Sequence, residues 1–313
     1  MDFKDKKVLV IGLARSGCEV PENYFAGYYS ALEDYVKQCE GVLHKKKYTD
    51  YSRTILAVTA IGKDARNVGG YDLTYPLGDY KKTIWQGFNS TIWALIALDS
   101  GNYPMPYNEE AEVHATRQMY VDEILSRQLD DGGWNLTDKG GEGKADSDMT
   151  GMALQALSSY KDQPAVKAAI EKALVCIADL QEEDGGFASW GTHNSESCAQ
   201  IIVALTALGE PFDGPEFIKN GKTMADNLLS FRLEDGSYMH VKEGGQGNFM
   251  ATEQGMYSSV ALQRYLSGKP GLYKMQDAVD LVTPKTEKQE NINWKETLNE
   301  RIRKLVQLVK ANR

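Results

Sequence analysis

The sequence predicts an all-α fold in which paired helices form an inner ring inside an outer ring, and three observations predict it. Six short segments rich in small residues recur along the chain: "VIGLARSG", "ILAVTAIG", "IWALIALDSG", "GMALQALSS", "IVALTALG" and "VALQRYLSG". Longer amphipathic stretches alternate with them, such as "PENYFAGYYSALEDYVKQC" and "PAVKAAIEKALVCIADLQ", with apolar residues at helical spacing. A third unit, "RQLDDGGWNL", "LQEEDGGFAS" and "FRLEDGSYMH", returns after 53 residues (Gln128 to Gln181) and again after 51 (Gln181 to Arg232). Helices of small residues pack closely and can be surrounded, whereas an amphipathic helix keeps one wet face. The first kind therefore makes the inner ring and the second the outer.

Composition supports a real core and narrows the partners. The 313 residues are 42% hydrophobic and 10% aromatic, and the net charge of -9 disfavours phosphate backbones and anionic lipid surfaces. No run of 18 apolar residues occurs, and no apolar leader precedes a small-residue cleavage site, so the chain as written reads as cytoplasmic and without a membrane span. Cys18, Cys39, Cys176 and Cys198 lack CxxC spacing and are expected to be reduced packing groups.

The first element, "KKVLVIGLARSG" (Lys6 to Gly17), has two readings. As a strand and glycine turn it would open a nucleotide-binding fold, and "KVLVIGLARSG" resembles the nucleotide-loop start of the muramoyl-alanine glutamate ligases. That likeness stops at Gly17, Gly12 and Gly17 do not make GxGxxG, and Cys18 to Pro21 interrupts the helix such a loop requires. The segment instead aligns with the five later small-residue copies, so a helix is expected. Five amphipathic segments follow, at about 22–40, 73–87, 110–128, 164–181 and 215–231, with Pro21, Pro164 and Pro215 near helix starts. In the DG turns, Gly132, Gly185 and Gly236 suit a left-handed backbone. Asp131, Asp184 and Asp235 suit turn or cap positions, and Trp134, Phe187 and Tyr238 are placed to pack between hairpins.

Six inner helices require six outer ones, and the first outer helix is missing. At the C-terminus, Trp294, Leu298, Ile302, Leu305 and Val309 recur at helical spacing behind an Asn293 to Glu296 capping box. Residues 292–313 are therefore expected to fill the vacant outer position, joined by a polar linker, 282–291, to a ring domain of residues 1–281.

"RQLDDGGWNL" and "LQEEDGGF" resemble the glutamine and aromatic repeats of squalene cyclases. "DSDMTGMALQAL", "NSESCAQIIVALTALG", "YTDYSRTILAVTAIGKD", "GFNSTIWALIALDSGNY" and "MATEQGMYSSVALQRYLSGK" resemble the bacterial prenyltransferase/squalene-oxidase-repeat proteins, over roughly Val8 to Met275. The resemblance implies an α/α toroid, the superfamily of terpenoid cyclases, protein prenyltransferase β-subunits and cobalamin carriers, with a pocket on the ring axis. Polar residues near the inner-helix N-termini are then the candidates: Asp50, Tyr51 and Arg53; Asn89 and Trp93; Asp146 and Asp148; Glu196; Glu253 and Gln254. Tyr51, Arg53, Trp93, Trp134, Trp190, Glu196, Tyr238 and Glu253 are the expected ligand-binding set.

Class II terpenoid cyclases protonate an alkene with the central aspartate of a DxDD motif. Here "DSDMT" matches Asp146 and Asp148 to the first and central aspartates, but Met149 replaces the last, so one supporting carboxylate is lost; a helix cap by Asp146 or Asp148 is the plainer reading. Protein prenyltransferases hold zinc through a DxC pair and a histidine. "ESC" offers Glu196 and Cys198 with His193 and His240 nearest in sequence, a poor match, so no metal is expected. A calcium loop from Asp130, Asp131, Asp138 and Asp146 lacks EF-hand spacing. His44 lies in a solvated charge run and His114 on an outer segment, and no nucleophile elbow, phosphate loop or HExxH occurs.

The leading expectation is a monomeric, cofactor-free, non-catalytic binding or scaffold protein whose axial pocket takes an apolar or macrocyclic small molecule or a protein partner. The alternative is a class II terpenoid cyclase-like enzyme using Asp148 as general acid. Proteins of the group it resembles look secreted or cell-surface.

Overall fold

Lys7–Ser16 is a helix, α1, and nothing in it turns a strand toward a nucleotide. Gly12 sits in its middle because another helix passes close by: a Cβ there would stand 2.3 Å from Cε of Met256 and 3.6 Å from Cβ of Tyr257. Gly17 ends the helix with φ +66°. The structure, a computed structural model, describes residues 7–17, 20–21 and 23–283.

After α1 come α2 (Tyr24–Gln38), α3 (Thr49–Ala60), α4 (Tyr80–Trp85), α5 (Phe88–Ser100), α6 (Arg117–Ser126), α7 (Ser147–Leu157), α8 (Pro164–Leu180), α9 (Ser195–Leu208), α10 (Met224–Ser230) and α11 (Phe249–Leu266). Each odd-numbered helix packs on the next odd-numbered one, and α11 returns to pack on α1, so the six small-residue helices close a ring. Outside it, α4 and α6 pack on α5, α8 on α7, and α10 on α9. The burial follows the sequence pattern: α9 is buried from Ser195 to Thr206 without a break, while α2 buries only the stripe Phe25, Tyr28, Leu32 and Val36.

Three outer segments are shorter than their sequence predicts: in 110–128 the helix covers only Arg117–Ser126, behind the Thr116 cap. In 73–87, Pro76 and Gly78 shape a 3-10 turn, Tyr75–Gly78, and α4 begins only at the Asp79 cap. Gly78 is required there, since a Cβ would lie 2.4 Å from the Pro106 carbonyl oxygen. In 215–231, Pro215 opens another 3-10 turn, and α10 starts only after its cap, Thr223, whose hydroxyl accepts from Asp226 N while the Asp226 carboxylate accepts from Thr223 N. Two short hairpins were not foreseen: β1 (Ala188–Ser189) with β2 (Thr192–His193), and β3 (Tyr238–Met239) with β4 (Gly247–Asn248).

The three DG turns share one geometry. Gly132, Gly185 and Gly236 have φ of +93°, +82° and +91°. In each, the preceding aspartate accepts a hydrogen bond from the backbone two residues on: Asp131 from Gly133, Asp184 from Gly186, Asp235 from Ser237. The repeated glutamine braces the turn, Gln128 donating to the carbonyls of Gly132 and Ala169, and Gln181 to that of Gly185.

Beyond α11 the chain recrosses the C-terminal ends of the inner helices as a strap. Arg15 of α1 donates to the Leu272 and Lys274 carbonyls, Met275 N donates to Ser100 O at the end of α5, and Leu281 N donates to Ile61 O just after α3. The strap thus ties the ring's first helix to its last from below. Most of the linker and all of the C-terminal segment expected at the vacant first outer position, 292–313, lie outside the described residues, as does Cys18.

Candidate functional site

Inside the ring, α7, α9 and α11 share a polar network within otherwise apolar helices. Nε2 of Gln155 (α7) donates to Oε1 and to the backbone oxygen of Gln200 (α9), at 3.0 and 3.1 Å. Nε2 of Gln200 in turn donates to Oε1 of Gln254 (2.9 Å) and to the Tyr257 hydroxyl (2.6 Å) on α11, and that hydroxyl donates to Gln254 Oε1 at 3.0 Å. Gly151 permits the close approach: a Cβ there would meet the Gln200 backbone at 3.1 Å.

Arg53 and Asp148 act electrostatically on the same Tyr257, from α3 and α7. From the strap, Tyr273 also reaches it, and packs edge-on against Trp93 of α5 with ring centroids 5.7 Å apart and planes at 87°. Burial raises both phenols well above the usual tyrosine range, with Arg53 pulling each back. Arg53, Trp93, Asp148, Gln254, Gln155, Gln200, Tyr257 and Tyr273 therefore form one group, part aromatic, part amide, with one guanidinium and one carboxylate. Two of its buried polar atoms, Trp93 Nε1 and Gln155 Oε1, have no hydrogen-bond partner among the described residues, whereas Arg53 is exposed and its guanidinium is open to water.

The two motif aspartates have different roles. Asp146 is the N-cap of α7: its Oδ1 accepts from Met149 N at 3.0 Å and its Oδ2 from the Ser189 hydroxyl at 2.6 Å. Asp148, in the first turn, is lifted by burial to about 6; a hydrogen bond with Ser197 opposes the rise, while the charges of Asp146 and Glu196 add to it. Met149, where a third aspartate would stand, is buried in the core. Glu196 accepts from the Ser195 hydroxyl, and both its oxygens lie 2.9 Å from His240 Nδ1.

The remaining candidates lie elsewhere. Trp134 and Tyr238 are sealed in the core: the indole of Trp134 donates to the Ile124 carbonyl, and Gly255 lies flat on the Tyr238 ring. Neither has surface to offer a ligand. Trp190 stands 75% exposed at the tip of the β1–β2 hairpin with φ +52°. Tyr51 faces a cleft outside the axial group, Glu253 is buried near Tyr24, and Asp50 contributes its backbone oxygen to Lys7.

The zinc reading finds no geometry: Cys198 is buried with its thiol donating to Asn227 and pushed up to about 12, and His193 sits 3.1 Å from Glu182. Of the proposed calcium residues, Asp131 accepts from Ala145 N as well as from its own turn, and Asp138 binds the Asn135 amide. Among the described residues no three or more His, Cys, Asp and Glu side chains gather as a metal site. Sequence reasoning missed Gln155, Gln200, Tyr257 and Tyr273. The first two had a readable signal, a lone glutamine inside an apolar run, in "MALQALS" and "CAQIIVALTALG".

No protein-family model and no curated protein matches the chain. Among solved structures it is similar to ent-copalyl diphosphate synthase from Streptomyces platensis, with a TM-score of 0.52 and 18% identity over 85% of this chain and 50% of that one. It is also similar to Candida albicans protein geranylgeranyltransferase-I complexed with GGPP, with a TM-score of 0.55 and 9% identity over 96% of this chain and 91% of that one. The chain spans half the length of the synthase. Such identities carry the fold alone, a helical fold shared with both structures.

Proposed function

We propose that this protein is a non-catalytic binding protein whose axial group holds a small molecule with an apolar body and a polar, hydrogen-bonding end. The observation that carries the reading is a pair of unmet buried groups beside one aromatic wall, the Trp93 indole N–H and the Gln155 amide oxygen, near Tyr257 and Tyr273, with the exposed Arg53 guanidinium acting on both tyrosines. Buried polar atoms are almost always paired, and orphans mark places where a ligand or water completes the structure. The strap adds to that wall, because Tyr273 packs edge-on against Trp93.

The cyclase alternative is less well supported. An alkene-protonating acid must hold its proton at working pH. Asp148, at about 6, is mostly ionised near neutrality, and Asp146 is committed to Met149 N and Ser189. Native mass spectrometry of the purified chain tests the proposal: a retained small molecule, displaced in Arg53→Gln, is the expected result. Turnover of squalene or geranylgeranyl diphosphate that is lost in Asp148→Asn would overturn it in favour of catalysis.

A further inference from the structure

A second cleft, of about 480 Å³, lies where the loop after α2 meets the start of α3 and the turns around α4. Its size falls within the range of small-molecule sites, about 300–1,000 Å³. Four tyrosines line it, Tyr48, Tyr51, Tyr71 and Tyr75. The Tyr48 and Tyr51 rings lie 5.5 Å apart, inclined at 55°. Tyr71 is fixed from behind by Gly41, where a Cβ would meet its ring at 2.7 Å, and the chain reaches that contact through left-handed Glu40 (φ +51°) and Gly41 (φ +76°). For a non-glycine residue such as Glu40 that backbone is strained.

Two features say what the cleft is built to meet. Tyr48 and Tyr51, 7% and 3% exposed, form its floor, and the more open rings of Tyr71 and Tyr75 its walls. The lining also carries unbalanced charge: Glu40, Asp72 and Glu110 against Lys45 and Lys82, with Lys82 already 3.2 Å from the Asp79 carboxylate. Three carboxylates thus face one uncommitted ammonium. Burial, then the charges of Asp79 and Glu110, pushes the Tyr48 phenol up to about 12, as a negative field requires. The carboxylates are not gathered as a metal site, so the surplus is spread over aromatic walls.

We propose that this cleft binds a small organic cation, with its ammonium group over the tyrosine faces beside Glu110 and its alkyl part against the rings. Aromatic faces attract such cations through the ring quadrupole at distances up to about 6 Å. An anion would be repelled by the surplus negative charge, and a neutral sugar would gain nothing from it.

The test is calorimetric titration of the whole chain with choline chloride, against 3,3-dimethyl-1-butanol, its neutral carbon isostere, at matched ionic strength. Choline should bind saturably, and the isostere about 3- to 30-fold more weakly. Tyr75→Leu and Glu110→Gln, both at exposed positions, should each weaken choline about threefold or more with melting temperature unchanged. The axial variant Arg53→Gln should leave choline binding intact, so failure here and failure of the axial reading are distinguishable. Equal affinity for choline and its isostere, absence of saturable heat, loss of binding in Arg53→Gln, or full binding in both cleft variants would each overturn the proposal.

Discussion

The guanidinium of Arg15, only 3% exposed, meets the carboxylate of Asp277 at 2.7 Å, joining the first inner helix to the strap. Arg264 of α11 reaches the other oxygen of the same carboxylate and also donates to the Arg15 carbonyl. Asp277 is therefore the shared counter-ion of two buried arginines at the seam where α11 meets α1. Removing it leaves both uncompensated, which costs about 2–4 kcal/mol after allowance for its partial exposure. Urea denaturation of Asp277→Ala should show that loss, while Asp280→Ala, whose Lys63 pair is exposed, should lose under about 1 kcal/mol. Burial works against the Asp277 charge, but the bonds from Arg264 and Arg15 prevail and hold its carboxyl below the usual range. Its folded value lies below the unfolded one, so its contribution is fully present above about pH 4 and is lost as pH falls through the folded value.

Asp148 has the opposite sign. With a folded value of about 6 against an ordinary 3.8, the native state holds the proton more tightly than the unfolded chain. Stability from this group therefore falls as pH rises from about 4 to about 6, by about 2–3 kcal/mol in all. Asp148→Asn should be more stable than the wild type by up to that amount near pH 7, and the gain should vanish below about pH 3.5, where both forms are neutral. Melting curves at the two pH values decide it. No gain at neutral pH would mean that Asp148 is better solvated than its burial implies.

How much could be read beforehand depended on whether a residue's constraint was local. Gly132, Gly185 and Gly236 were legible because an Asp-Gly turn needs its left-handed glycine whatever surrounds it. Helix α1 was legible, despite its β-branched run, because it repeats the pattern of five later helices. The shortened α4 was not, since the contact that bars a side chain at Gly78 comes from Pro106, a residue set by the return loop. Within the candidate site, Arg53, Trp93 and Asp148 are the residues that their places near helix starts single out. Tyr273 did not, because only the strap's path across the ring brings it to Trp93. Trp134 and Tyr238 illustrate the converse: the sequence marks an aromatic at a turn, but burial alone decides that it packs and offers no face to a ligand.

The turn glycines should differ in tolerance according to what lies above them. At Gly132 an added Cβ would sit 2.7 Å from the Lys172 carbonyl oxygen, on a backbone of φ +93°. At Gly141, φ is +74° but nothing lies within 4 Å. Gly141→Ala should cost about 1 kcal/mol from backbone strain alone, and Gly132→Ala about 1–3 kcal/mol more because helix α8 must shift. Equal losses in chemical denaturation would show that the DG turn is not held against α8.

The cysteines should divide by burial. Burial, then neighbouring carboxylates, lifts the Cys176 thiol to about 12, and Cys198, the more deeply enclosed, also reaches about 12. Thiolate is the reactive form, so both should resist iodoacetamide near pH 8 in the native protein while half-buried Cys39 is labelled. Peptide mapping after timed alkylation reads this directly. Rapid native labelling of Cys198 would contradict the packing of α9 against α10.

The axial network gives the sharpest test of what the ring is for, because Gln200 serves structure and site together. Its Nε2 satisfies Gln254 and Tyr257, while its Oε1 and backbone oxygen take the Gln155 amide. Gln200→Leu removes the hub and leaves the Gln155 amide and the Tyr257 hydroxyl partly unpaired, at about 1–3 kcal/mol of stability. Arg53→Gln removes only an exposed guanidinium, so folding stability should change by less than about 0.5 kcal/mol. If the ring binds a ligand there, the two variants part company: Gln200→Leu loses stability with or without ligand, whereas Arg53→Gln loses only the ligand-dependent part of the melting temperature. Measured on protein as purified and again after denaturation and refolding free of small molecules, an Arg53→Gln curve matching the wild type in both states would rule out a ligand contact by this exposed arginine.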